Sequence, residues 1–237
     1  MLCLESGLRR YNLYYITLRQ PLVSRGGRDE GNSMKLFYTP GACSLAHHIV
    51  ACEAGLDIEY DKVDLKTQTT ASGLSFTKIN PKGYVPALAL QDGEVLTEAS
   101  VILEYLADHA PASRLLPATG SLERYRVQEW LGFISTELHK GFSPLWSGPM
   151  PEAARQLAID HLYRRFAYLD GCLQGRFYLM GEQFTVADAY CFAILSWTRF
   201  HRLDLSAYSH INAFMRRVSE RPMVRTALQA EGLLKAA

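Results

Sequence analysis

Met34-Lys-Leu-Phe-Tyr-Thr-Pro-Gly-Ala-Cys-Ser-Leu-Ala-His-His-Ile-Val-Ala-Cys-Glu-Ala-Gly55 reads as strand, loop and helix. The strand is Lys35 to Tyr38, and Pro40-Gly41 break it. Leu45, Ile49, Val50 and Ala54 recur at helical spacing, and Gly55 stops the helix. Cys43 therefore falls at the helix N-terminus, where free N–H groups and the macrodipole favour an anion. A thiol in that position is expected to have a lowered pKa and to be a good nucleophile at neutral pH. Position 46 is Ala, so the loop carries one thiol and no dithiol pair. The competing reading makes Cys43 a small buried hydrophobe, as most free cysteines are.

Working outward, Asn80-Pro-Lys-Gly-Tyr-Val-Pro-Ala-Leu-Ala-Leu90 gives a loop and a short strand, Ala87 to Leu90. Pro86 stands just before that strand, which makes Val85–Pro86 a candidate cis peptide. Gln91-Asp-Gly-Glu94 is a hairpin turn, Val95-Leu96 the return strand, and Thr97 to Asp108 a helix. Glu98 and Ser100 fall in the first turn of that helix, an anion site through its free N–H groups. With a strand at Ile58 to Val63 and a poorly patterned helix at Ser72 to Ile79, this is an α/β unit with a mixed four-stranded sheet. A thiol at the first helix start, opposite a Val–Pro loop, is the thioredoxin-like arrangement.

Tyr38-Thr-Pro-Gly-Ala-Cys-Ser-Leu-Ala46, Asn80-Pro-Lys-Gly-Tyr-Val-Pro86, Leu96-Thr-Glu-Ala99 and Glu137-Leu-His-Lys140 together resemble the cytosolic glutathione transferases, specifically the bacterial beta class. The resemblance runs from Met34 to the C-terminus. It implies glutathione as co-substrate, no metal, and a small hydrophobic electrophile as second substrate. It assigns Cys43 a place beside the glutathione sulfur, where a mixed disulfide can form, and Ser44 a hydroxyl that bonds the glutathione thiolate. Val85 pairs by its backbone with the cysteinyl part, and cis-Pro86 shapes the loop. Glu98 takes the γ-glutamyl ammonium and Ala99 the carboxylate by its N–H, with Ser100 beside it. His139 and Lys140 reach over the site from the helical half. Three positions depart from the class: Ala99 replaces a hydroxyl residue, Gln68 replaces a Lys that faces the glycine carboxylate, and Gly132 replaces an Asn. Lys66 is the substitute cation for the lost Lys. On residue type alone His139 is more often a packed or capping residue than a catalytic one, and Lys140 is by default solvated; their site roles rest on the matching Glu-Leu-His-Lys run.

From Ser121 the pattern is wholly helical. The expected division is 34–112 for the glutathione-binding domain, 113–120 for a linker and 121–237 for an all-helical domain. Ser121 to Lys140 reads as one long helix with Ser121 as N-cap, and Glu152 to Leu173 as a second after Pro149-Met-Pro151. Thr185-Val-Ala-Asp188 is a capping box, and the run Ala189 to Trp197 is apolar all round, as a central helix is. Tyr208 to Ser219 and Met223 to Leu234 follow, parted by Pro222. Phe142, Trp146, Trp197, Phe200 and His201 are expected mostly in the core, with some lining a pocket for the second substrate.

A chain of 237 residues with 48% hydrophobic content and a net charge of +1 gives no electrostatic case for nucleic acid or anionic membrane. Its 5 irregularly spaced cysteines suit reduced thiols in a cytoplasm. His47-His48 is read as surface or packing, because adjacent helix positions do not point one way. Residues 1–33 precede the pattern and read as unstructured, either an upstream start before Met34 or a targeting or regulatory arm. The expected function is conjugation of glutathione to aromatic or alkyl electrophiles in a homodimer, with thiol–disulfide exchange at Cys43. The alternative is a non-catalytic ligand-binding or protein-docking member of the same fold.

Overall fold

A computed structural model describes residues 33–234. The reading of the N-terminal segment lies outside them, apart from Ser33. Strands β1 (Met34–Tyr38), β2 (Ile58–Asp64), β3 (Thr69–Thr70), β4 (Ala87–Ala89) and β5 (Val95–Thr97) form one sheet in the order β3-β2-β1-β4-β5. β1 and β2 run parallel in the register Leu36↔Tyr60, and the other pairings are antiparallel. The sheet thus has five strands where the sequence suggests four. The extra strand is two residues long, and the expected helix from Ser72 shrinks to α2 (Phe76–Ile79). Buried Asp61, 11 residues earlier, accepts from both the N–H and the hydroxyl of Ser72, which holds the chain in a turn instead of a helix.

Strand alternation splits the sheet's two faces. Leu36, Ile58 and Leu88 face helices α1 (Leu45–Ala54) and α3 (Ala99–Asp108) in the larger core. Phe37, Val63 and Ala87 face Phe76 of α2 in a smaller one. The larger core continues without a break into the helical half. There α4 (Leu122–Phe133), a π-helical segment (Ile134–His139) and α5 (Lys140–Trp146) run end to end. The long helix expected from Ser121 therefore exists, is capped by Ser121 Oγ accepting from Arg124 N–H at 3.2 Å, and runs on to Trp146. Helix α9 (Ser209–Ser219), α4, the π-helical segment and α1 pack against α7 (Val186–Leu195), all of whose residues are buried; α6 (Glu152–Leu173) packs on α5 and α9, and α10 (Pro222–Ala230) on α1. A short α8 (Trp197–His201) follows α7.

Two arginines join the halves. Arg124 makes a two-pronged pair with Asp108 at 2.8 and 2.7 Å, and Arg221 a similar one with Glu53 at 2.7 and 2.8 Å. The aromatic expectation is half met. Phe142 and Trp197 are buried, whereas Trp146 and Phe200 are 52% and 62% exposed at the rim of that cluster.

Candidate active site

The loop after β1 is held from several sides. Gly41 takes φ +72°, a region glycine enters without steric cost. Its N–H donates to Glu231 Oε2 at 2.9 Å, and its carbonyl accepts from Trp197 Nε1 at 2.8 Å. Glu231 also meets His48 Nδ1 at 3.2 Å. The end of the helical half therefore clamps the loop that carries Cys43. His48 is buried in this clamp, and His47 is buried with Nε2 2.9 Å from Ala99 O. Neither is a surface residue, because their partners lie far along the chain. The packing half of the expectation for the pair stands.

Cys43 is itself buried, two residues before α1, and its thiol donates to the Val85 carbonyl at 3.3 Å. The expected lowering of its pKa does not occur. Burial pushes the thiol up to about 12, against the opposing pull of nearby backbone N–H groups and Lys140. Helix position favours the anion, but burial outweighs it. Ser44 is fully buried, donates to Thr39 O and accepts from Thr39 N–H, both at 3.2 Å. Its hydroxyl closes the loop through this pair.

Val85–Pro86 is cis. Glu98 stands just before α3 with φ +75°, an uncommon conformation for a residue with a side chain. Its carboxylate accepts from Lys82 Nζ at 2.5 Å and Tyr84 OH at 3.1 Å, which hold it below the usual carboxylate range. Ala99 and half-buried Ser100 open α3. Gln68 spends its amide nitrogen on Leu65 O and Gly83 O at 2.9 and 3.0 Å. Lys66 lies in the exposed β2–β3 turn, and among the described residues no contact ties its ammonium to the Cys43 cluster.

The π-helical segment brings the helical half's contribution. His139 Nδ1 lies 2.7 Å from the Tyr190 hydroxyl, and Lys140 is close enough to act electrostatically on Cys43, Glu98 and His139. Burial, then Lys140, lowers His139 to about 4, so its imidazole is neutral at pH 7. The structure thus links Cys43 to Val85, Glu98 and Lys140, and His139 to Glu98 and Lys140, with Ser44 and Pro86 next in chain to Cys43 and Val85 and with Ala99 and Ser100 following Glu98; Lys66 stays apart. Sequence reading missed Tyr190, Lys82, Tyr84 and Glu231. Tyr190 carries a usable signal: a lone phenol in an apolar helix must find a partner. Glu231 carries none, since its partners lie 183 and 190 residues away. Gly132 is on the exposed face of α4 with open space around it. Among the described residues no group of side chains suits a metal ion, and no helix is long and apolar enough to cross a membrane.

The buried imidazoles make stability depend on pH. His47 is lowered to about 4 by burial, as His139 is. Between pH 6.5 and 4 the unfolded chain binds protons that the folded imidazoles refuse, so stability falls as pH falls. Asp188 runs the other way. Burial raises it to about 6, so the folded protein regains stability as pH drops from 6 toward 4. At roughly 1.4 kcal/mol per unit, two histidines lose about 4 kcal/mol between pH 7.5 and 5 and Asp188 returns about 1.4. Allowing for the partial exposure of His139, urea unfolding at pH 5 should give a stability about 2 kcal/mol lower than at pH 7.5. Equal or greater stability at pH 5 would contradict these environments.

Comparison with known proteins bears on the whole arrangement. The family model for the glutathione S-transferase N-terminal domain matches residues 42–109, and that for the C-terminal domain matches residues 133–222. Glutathione S-transferase GstA of Escherichia coli O157:H7 is 46% identical over 200 residues, 84% of this chain and 100% of the relative. A sphingomonad glutathione S-transferase solved in complex with glutathione aligns with a TM-score of 0.82 at 45% identity, over 84% of this chain and 100% of that one. The beta-class glutathione S-transferase of Sphingomonas chungbukensis aligns with a TM-score of 0.82 at 42% identity, again over 84% and 100%. With a thioredoxin-like sheet half, a helical half and both family domains matched in order, the chain belongs to the glutathione S-transferase family.

Proposed function

We propose that this protein binds glutathione along the groove between Val85–Pro86, the start of α3 and the π-helical segment, and transfers it to soft aromatic or alkyl electrophiles. The observation that carries the reading is the convergence of Cys43, hydrogen-bonded to Val85, with Glu98 and Lys140 acting on it electrostatically from two other elements. Glutathione carries one ammonium and two carboxylates. Glu98 suits the ammonium, and the free N–H groups of Ala99 and Ser100 suit the adjacent carboxylate. Val85 offers its backbone to the cysteinyl part, with Pro86 shaping that edge. Lys140, with Lys66 as the more distant candidate, suits the remaining negative charge. Binding places the glutathione sulfur beside the Cys43 thiol, the N-terminus of α1 and His139. Hydrogen-bond donors there favour the thiolate over the thiol, and the thiolate attacks the electrophile with departure of halide or addition to an activated double bond. Ser44 supports the site by holding the loop.

Cys43 supports a second chemistry at the same place. With glutathione disulfide, its thiolate attacks one sulfur, a protein–glutathione disulfide forms and a glutathione thiolate leaves. Because the resting thiol is pushed up to about 12, this step should accelerate about tenfold per pH unit from pH 7 to 9. A homodimer in a cytoplasm is the proposed setting, and exposed Val101, Leu122 and Tyr125 on α3 and α4 suit a subunit contact.

The test compares the parent with Cys43→Ala. The parent should gain one glutathione by mass spectrometry after glutathione disulfide treatment, and the variant none at that residue. Conjugation of a chloronitroaromatic should stay within about tenfold of the parent in the variant, because a neutral thiol contributes at most one hydrogen bond. No turnover by the parent would favour the binding-protein alternative.

A further inference from the structure

Tyr190 is the single hydroxyl on α7, and no part of it is exposed. Its oxygen lies 2.7 Å from His139 Nδ1. Ser135 acts on the same hydroxyl, against the burial that raises it. Ser135 and His139 are four residues apart in the π-helical segment, whose wider winding brings such residues near one face, toward Tyr190. The His139 ring is fixed edge-on between Tyr190 and Trp197, with centroids 5.9 and 5.0 Å away. Its other nitrogen, Nε2, makes no hydrogen bond within the described residues and is not sealed from solvent.

A neutral imidazole has one donor nitrogen and one acceptor nitrogen, and the partner of one decides the other. Imidazole nitrogen is the better acceptor and phenol the better donor. At 2.7 Å the phenol proton therefore goes to Nδ1. We propose that Tyr190 is a positioning residue for conjugation: its hydroxyl, donating to His139 Nδ1, holds the Nε2–H tautomer, so that His139 offers the bound glutathione sulfur a hydrogen-bond donor and not a base. This rests on the placement of glutathione argued above. It assigns His139 the same task as the α1 N-terminus, namely stabilising a thiolate whose proton has gone to solvent.

The test is nitrogen-15 NMR of the imidazoles in the glutathione-free parent and Tyr190→Phe, with conjugation kinetics of both and of His139→Ala. The parent should show His139 with a protonated Nε2 and an acceptor-shifted Nδ1. Tyr190→Phe should lose the acceptor shift and mix the tautomers. Its kcat should fall about tenfold, the value of one hydrogen bond made in the transition state, with KM for glutathione within about twofold. A protonated Nδ1 in the parent would overturn the proposal, as would a Tyr190→Phe protein with the parent's kcat. Should Tyr190→Phe fold poorly by circular dichroism, the parent's nitrogen-15 shifts decide alone: a protonated Nε2 with an acceptor-shifted Nδ1 supports the proposal, and the reverse overturns it. His139→Ala with undiminished kcat would sink the role of His139 at the sulfur, and with it the proposal, while the parent's glutathione turnover would leave the site reading intact.

Discussion

Asp188→Ala should lose at least about 4 kcal/mol of stability and populate unfolded chain at 37 °C. The carboxylate is fully buried and accepts three hydrogen bonds, from Leu179 N–H and Thr185 N–H at 2.8 Å and from the Thr185 hydroxyl at 2.9 Å. Alanine leaves those donors in a dry interior, at about 1–3 kcal/mol each, and removes the cap of α7 for about 1 more. That helix is the axis of the helical half and packs against α1, which carries the loop of Cys43. A domain holding 5–15 kcal/mol in total does not absorb the loss easily. Burial is strong enough here to raise the carboxyl to about 6 against all three donors, so the site is dry as well as bonded. Asp188→Asn keeps one acceptor and should lose less. Urea unfolding of both variants at pH 7.5 decides the matter, and a loss under about 1 kcal/mol for the alanine variant would refute the capping account.

Glu98→Ala should raise KM for glutathione by about 10- to 100-fold and leave the fold nearly untouched. A charge-assisted hydrogen bond to the ligand's ammonium is worth about 1.5–3 kcal/mol, and 1.4 kcal/mol is a factor of ten. Its present partners, Lys82 and Tyr84, sit at the surface, where an ion pair contributes little, so stability should shift by less than about 1 kcal/mol. The reacting sulfur is served by other groups, so kcat should fall much less than kcat/KM. Steady-state kinetics over glutathione concentration read both effects. An unchanged KM would remove Glu98 from the binding site.

The parts of the fold legible in sequence were those set by neighbours along the chain. Pro40-Gly41 ends β1, Asp92-Gly93 turns the hairpin, Val85–Pro86 is cis, and Thr185 with Asp188 caps α7. Each depends on residues within a few positions. The misreadings depend on distant partners. Asp61 reaches Ser72 across a turn and cancels part of a helix. His47 and His48 are buried by Ala99 and Glu231, and no local periodicity foretells that. The Cys43 thiol is the sharpest case. Its place near a helix N-terminus argues for a lowered pKa, and the burial of the folded thiol reverses the sign. Five strands in place of four has a different cause: β3 is too short to have a pattern of its own. Of the site, the residues quoted by motif converge, but the motif said nothing of Tyr190, which buttresses His139 from inside an apolar helix.

The difference in absorbance at 240 nm between protein with and without glutathione, titrated from pH 5 to 9, reads the ionisation of the bound sulfur directly. Cys43, pushed up to about 12, stays silent in that range. Donors converging on the sulfur should bring the bound thiol at least about one unit below the ~8.5 of a free thiol, with thiolate abundant at pH 7. Bound glutathione that titrates like free glutathione would contradict the claim that this groove activates it.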